Sequence, residues 1–108
     1  MGMTPEGRVK SNVRKLFSLW GDEIYHFWPV QTGFGSATLD ILGCANGRFF
    51  AVETKRSKKD LTDRQGVIRT MMQRSHGNVF RVRDDEELAV FRNWLYSVLG
   101  APPDNLER

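Results

Sequence analysis

The sequence predicts an α/β domain, a mixed sheet flanked by helices with elements in the order α-β-β-β-α-β-α. Three observations carry that expectation. Stretches near both ends repeat apolar residues at helical intervals, the pair Asn46-Gly47 divides two β-prone runs, and a separately capped helical stretch lies between that hairpin and one more short β-prone run. At 108 residues, 40% of them hydrophobic, the chain suits one domain with a modest core over residues 1–100. No internal repeat is visible.

Thr4-Pro5-Glu6 reads as an N-cap, a proline at the first helical position and an acid in the first turn. Val9, Val13, Leu16, Phe17 and Trp20 then form one apolar stripe, with Arg8, Lys10, Arg14 and Lys15 outside it, and Gly21 is the expected stop. Ile24 to Trp28 is β-prone, and Pro29 to Thr38, containing Gly33 and Gly35, reads as a flexible loop. The hairpin follows, with strands Leu39-Asp40-Ile41-Leu42 and Phe49 to Lys55. Thr62-Asp63-Arg64-Gln65 has the capping-box pattern, opening a helix through Ile68, Met71, Met72 and Ser75 that Gly77 ends. Val79 to Val82 is a short strand. Asp84-Asp85-Glu86-Glu87 caps a last helix with the stripe Leu88, Phe91, Leu95, Val98 and Leu99, and 101–108, with Pro102-Pro103, reads as a disordered tail.

The 16 Lys and Arg exceed the 13 Asp and Glu by only three, but the excess is unevenly placed. Nine cations, from Lys55 to Arg83, face only Asp60 and Asp63, so this window is +7 and the remainder −4. A basic stretch suits a polyanion, because phosphate neutralisation dominates nucleic-acid affinity; a solvated helix face is the plain alternative. Cys44 is the single cysteine, expected to pack as a small core residue. With His26 and His76 it has no paired zinc-ligand spacing. No apolar run reaches the length of a membrane span or a signal peptide, so the expectation is a soluble, cytoplasmic protein.

Asn-Gly favours a two-residue type I′ turn, because both central positions need positive φ. With Ala45 facing Arg48, pairing outward sets Asp40 opposite Glu53, their Cβ atoms about 5 Å apart, and Lys55 on the same face by the pleat. Like charges so placed weaken a strand pair, whereas a bound cation reverses that sign. Aligned carboxylates offer hard oxygens to Mg²⁺, and Lys55 could act on an attacking water and on phosphate charge. The bland reading is a surface hairpin with a weak Glu–Lys pair.

Glu6 on the first helix, Asp40, Glu53-Thr54-Lys55 and Gln65 on the next helix, in this order of elements, resemble the PD-(D/E)XK nuclease superfamily, and within it the small stand-alone VRR-NUC domains typical of phages. The likeness runs from Thr4 to about Leu99. The chain departs from that pattern at Leu39, where the family often has proline, and at Arg69, where related nucleases often place tyrosine. The resemblance implies a restriction-endonuclease-like fold and a Mg²⁺-dependent endonuclease tolerant of Mn²⁺. Asp40, Glu53 and Glu6 would hold the ion, joined by the backbone carbonyl of Thr54. Lys55 would act on the water, and Gln65 would orient water or phosphate.

Each role has a simpler rival. Glu6 could only complement the helix dipole, although it continues the inward stripe, and Gln65 could only close a capping box with Thr62. Arg56, Lys58, Lys59 and Arg64 are the expected DNA contacts, next to the catalytic strand. The resemblance points to branched DNA, especially four-way junctions. Paired nicks from chains with one site each imply a C₂ homodimer, for which Trp28 or Trp94 could supply the surface. A flap-cutting or restriction-type nuclease, and a catalytically silent nucleic-acid-binding module, are the alternatives.

Overall fold

The computed structural model describes residues 4–30, 38–56 and 60–103. Helix α1 (Pro5–Ser18) leads through a short 3₁₀ turn at Gly21–Glu23 into β1 (Ile24–Phe27). Then come β2 (Ile41–Ala45), β3 (Arg48–Thr54), α2 (Asp63–Arg74), β4 (Asn78–Val82) and α3 (Asp85–Leu99). The four strands form one mixed sheet in the order β1-β2-β3-β4, antiparallel across the first two pairs and parallel between β3 and β4. The parallel step needs a crossover, which α2 supplies. Parts of the expected 29–38 loop and of the tail, residues 31–37 and 104–108, lie outside the described residues.

The β2–β3 hairpin has the expected register. Asn46 (φ 49°) and Gly47 (φ 76°) form the turn, Ala45 pairs with Arg48 and Ile41 with Val52. The Asn46 side chain also donates to the Val98 carbonyl at 2.7 Å, tying the turn to α3. Strand β2 starts two residues later than expected. Asp40 forms a bend instead, because its N–H is taken by the Glu53 carboxylate rather than a strand carbonyl.

The first helix also stops short of Gly21. After Ser18 the Leu19 and Trp20 N–H groups bond the carbonyls of Leu16 and Phe17, and this tighter turn brings Trp20 into the core at 1% exposure. Its indole N–H reaches the Gly100 carbonyl at 3.2 Å.

One face of the sheet carries the core. Val13, Leu16 and Phe17 of α1 and Phe91 and Leu95 of α3 pack on Ile24, Ile41, Ala45, Phe50, Val52 and Val82. Phe17, Phe50 and Phe91 meet with ring centroids 5.4 to 5.8 Å apart, within the range of favourable aromatic contact. Trp94 packs against Phe50 and Phe80 and is partly buried, so it is not the exposed interface aromatic expected from sequence.

The other face is less well covered. No residue of α2 is fully buried, and Met71 and Ser75, expected on its inward stripe, are exposed. Cys44 corrects another expectation. Its strand neighbours Gly43 and Ala45 are buried, and the alternation of the strand turns Cys44 outward beside Tyr25 and Phe49, both exposed as well.

Candidate active site

Four chain segments converge at the end of β3. Glu53 is the second-last residue of that strand, and its carboxylate is 2% exposed. Thr62 caps α2 and points the first turn of that helix back at the strand, so that Gln65 donates its side-chain amide to Glu53 Oε2. The Asp40 bend contributes its N–H, which donates to Glu53 Oε1 at 3.0 Å. Lys55 Nζ stands 3.8 Å from Glu53 Oε2 and is 17% exposed.

Asp40 is held by the same strand. Its Oδ2 accepts from the Thr54 N–H at 3.1 Å and from the Thr54 hydroxyl at 2.6 Å. The two carboxylates therefore do not meet head-on. Each takes a hydrogen bond from the other's segment, which fixes their relative position while leaving the repulsion between them in place.

Burial and that repulsion act on the Glu53 protonation equilibrium in the same direction. Burial, then the neighbouring Asp40 charge, raise Glu53 from an ordinary 4.5 to about 7, with Glu6 adding a smaller push in the same direction; the Asp40 N–H and the Lys55 ammonium pull the other way and lose. A buried carboxylate poised near neutrality and opening on a cleft fits a functional site better than a core.

The cleft is about 510 Å³ and is lined by Glu53, Asp40, Lys55 and Gln65 together with Glu6 of α1. Glu6 is only half-buried and leans on Lys10, one helical turn on, with Oε2 3.9 Å from Nζ. Its expected inward position thus becomes a place at the cleft edge with a lysine partner. Among the described residues no three His, Cys, Asp or Glu side chains are gathered closely enough to hold a metal ion as they stand.

Two of the expected DNA contacts fall within the described residues. Arg56 and Arg64 are exposed but do not line the cleft, and Lys58 and Lys59 lie outside the described residues. Two more cations of the basic window are engaged elsewhere. Arg81 bonds Glu87 at 2.7 Å and Asp60 at 2.7 Å, and Arg83 bonds Glu87 at 3.0 Å. The +7 count therefore overstates the free charge. Arg69 borders a different hollow, beside Arg81 and Glu87.

Sequence reading missed three contributors on the α1 side. Lys10, Arg14 and Trp28 all line the cleft, and the Arg14 guanidinium lies 3.9 Å from the centre of the Trp28 ring. The signal was present: Glu6, Lys10 and Arg14 are spaced by four, which aligns them on one helix face. The Thr54 side chain, which anchors Asp40, carried no such signal.

Comparison with family models, with curated proteins and with solved structures finds no match to this chain.

Proposed function

We propose that the protein is a divalent-cation-dependent DNA endonuclease of the PD-(D/E)XK type, hydrolysing a phosphodiester bond with water. One observation carries the reading. Glu53 is nearly sealed from solvent, set against a second carboxylate and a lysine, and opens on a cleft rather than being matched by a full counter-charge. A fold that needed only stability would gain from an apolar residue there, since burying a carboxylate with incomplete pairing costs several kcal/mol. Such cost is typical of sites kept for chemistry.

The donor set suits a small hard cation. Mg²⁺ takes one or two carboxylates and keeps several waters, so it does not need three protein ligands. Asp40 and Glu53 would hold it, with Glu6 near the cleft edge and the Thr54 carbonyl as further candidates, and each carboxylate oxygen retains lone pairs beyond the bonds described. When bound, Mg²⁺ or Mn²⁺ would polarise the phosphoryl oxygens and lower the pKa of a ligated water.

The chain's own groups divide the remaining work. Thr54 fixes Asp40 through two donors, and Gln65 fixes the Glu53 carboxylate. Lys55, partly exposed beside Glu53, would hold the attacking water and offset charge developing on the phosphate. Branched DNA as substrate, with four-way junctions foremost, and a C₂ homodimer that delivers two nicks rest on the VRR-NUC resemblance and on symmetry. No helix among the described residues is long and apolar enough to cross a membrane.

A silent DNA-binding module is the second reading, since among the described residues no three-ligand group is assembled. Incubation of labelled four-way junction, flap and linear duplex with Mg²⁺ or EDTA, beside Asp40→Ala and Lys55→Ala, separates the two. Cation-dependent cleavage by the parent that both variants lose is the expected result. Binding without cleavage in Mg²⁺ or Mn²⁺ gives the answer to the silent module, and equal cutting of all three substrates removes the preference for branched DNA.

A further inference from the structure

Of the residues on the α1 side of the cleft only Glu6 enters the chemistry proposed above; Lys10, Arg14 and Trp28 do not. Arg14 is exposed, and its guanidinium lies on the face of Trp28, 3.9 Å from the ring centre. That contact is built, not incidental. The Trp28 indole N–H donates to His26 Nδ1 at 2.9 Å, and the His26 ring stacks on Phe17, which is 2% exposed, with centroids 4.4 Å apart. A chain of packed rings thus runs from the core to the guanidinium. Burial and the Arg14 charge both lower the pKa of His26, which keeps Nδ1 free to accept the indole proton at neutral pH.

A guanidinium held over an indole has given up some rotamer freedom in advance, and the exposed Arg14 side chain keeps its N–H fork. That fork matches two phosphate oxygens. Among the described residues no carboxylate pairs with Arg14, in contrast to Arg81 and Arg83. Lys10 precedes it by four residues on the same helix face and lines the same cleft, about 6 Å away along the axis; its ion pair with Glu6, at 3.9 Å, is a long one. This separation is comparable to the step between neighbouring phosphates of one nucleic-acid strand.

We infer that α1 is the strand-binding ledge of the site: Arg14, positioned by Trp28 and His26, and Lys10 receive successive backbone phosphates of the DNA strand whose next phosphate lies at Asp40, Glu53 and Lys55. The inference rests on the nuclease reading for the identity of the polyanion. It assigns recognition to the first helix instead of the basic segment after β3. Trp28 is a positioning residue, because its ring face is already covered by the guanidinium.

The test is DNA binding without turnover, by fluorescence anisotropy of a labelled four-way junction in EDTA across a salt series. Arg14→Ala should weaken binding about tenfold at fixed salt, and it should reduce the slope of log K against log salt by about 1. Lys15→Ala removes the same charge from the same helix, away from the cleft, and should leave the slope unchanged. Trp28→Ala should weaken binding only while Arg14 is present, so that the Arg14→Ala/Trp28→Ala double variant binds like Arg14→Ala alone. Thermal unfolding of each variant checks that the fold is kept, and Arg14→Lys, which retains charge but loses the flat fork, gives a second measure should Trp28→Ala unfold.

Equal slopes for the parent and Arg14→Ala, or equal losses for Lys15→Ala and Arg14→Ala, would overturn the ledge, as would a parent that does not bind DNA. A parent that binds through Arg14 but never cleaves with Mg²⁺ or Mn²⁺ would leave the ledge standing and remove the nuclease.

Discussion

Gln65 closes the N-terminus of α2 with its carbonyl end, accepting from the Thr62 N–H at 2.9 Å, while its amide end donates to the Glu53 carboxylate. The capping role offered by the sequence is filled, and the same side chain adds a bond to Glu53 that the sequence did not specify. Helix capping sets where α2 begins, and that start point is what carries Gln65 to the end of β3.

Mutations separate the two roles. Thr62→Ala removes the cap hydroxyl that the Gln65 N–H uses, and should cost about 1 kcal/mol in stability while leaving cleavage within a few-fold of the parent. Gln65→Ala should cost a similar amount but cut the cleavage rate by about tenfold to a hundredfold, the range seen when a group that orients a ligand is lost. Gln65→Glu keeps a capping-box residue and sets a carboxylate against Glu53. It should melt near the parent and cleave poorly. Chemical denaturation together with single-turnover rates reads both effects, and a Gln65→Ala variant with parental rates would confine Gln65 to the cap.

Glu53 should make stability fall as pH rises. Its folded pKa of about 7 lies above its ordinary 4.5, so between these values the native state holds a proton that the unfolded chain has released. The unfolded state then binds fewer protons, and the unfolding free energy declines with pH through that window and levels off above about 7. The decline is at most about 1.4 kcal/mol per pH unit. Urea titrations in EDTA at steps from pH 4.5 to 8 should show it, and Glu53→Gln should remove it and be the more stable protein at pH 8. A Glu53→Gln variant less stable than the parent at pH 8 would mean that the charge is better compensated than the geometry indicates.

A divalent cation should reverse that penalty. Ligands that bind only the native state raise the melting temperature by mass action, and a cation beside Glu53 would displace its proton. Millimolar Mg²⁺ or Mn²⁺ should raise the melting temperature more at pH 8 than at pH 5.5, with proton release on binding near pH 7 measurable by calorimetry in buffers of different ionisation enthalpy. Asp40→Asn and Glu53→Gln should each abolish the shift. An unchanged shift in both would place the ion elsewhere.

Glu87 holds a structural network, not a substrate. Burial alone would raise its pKa, but hydrogen bonds from Arg83 and Arg81 prevail and hold it below the usual carboxylate value. A depressed folded pKa contributes stability that is present above the ordinary value and lost as pH falls through the folded one. Glu87→Ala should therefore cost about 1–2 kcal/mol near neutrality, discounted because the group is partly exposed, and less in acid. It also removes the Glu87 charge from beside Arg81 and Arg83, while Arg81 keeps its bond to Asp60. DNA affinity in low salt should rise in Glu87→Ala, whereas Arg81→Ala should destabilise the fold without reducing the salt slope of binding.

Patterns local in sequence determined the element order, the Asn46-Gly47 turn and the pairing number that brings Asp40 to Glu53, because turn chemistry and a period of two leave one register that buries Ile41, Ala45, Phe50 and Val52. Lys55 and Gln65 followed from the same local rules, through the pleat and the capping box. Tertiary structure decided everything that depends on which residues from distant segments share a space. It put Thr54 on Asp40, turned Cys44 outward, packed Trp94 against Phe50 and Phe80, tied Arg81 and Arg83 to Glu87, and brought Arg14 and Trp28 to the cleft. A count of charges along the chain cannot tell a free cation from a paired one, since pairing is set by the distance between elements, and that distance is fixed only when the core closes.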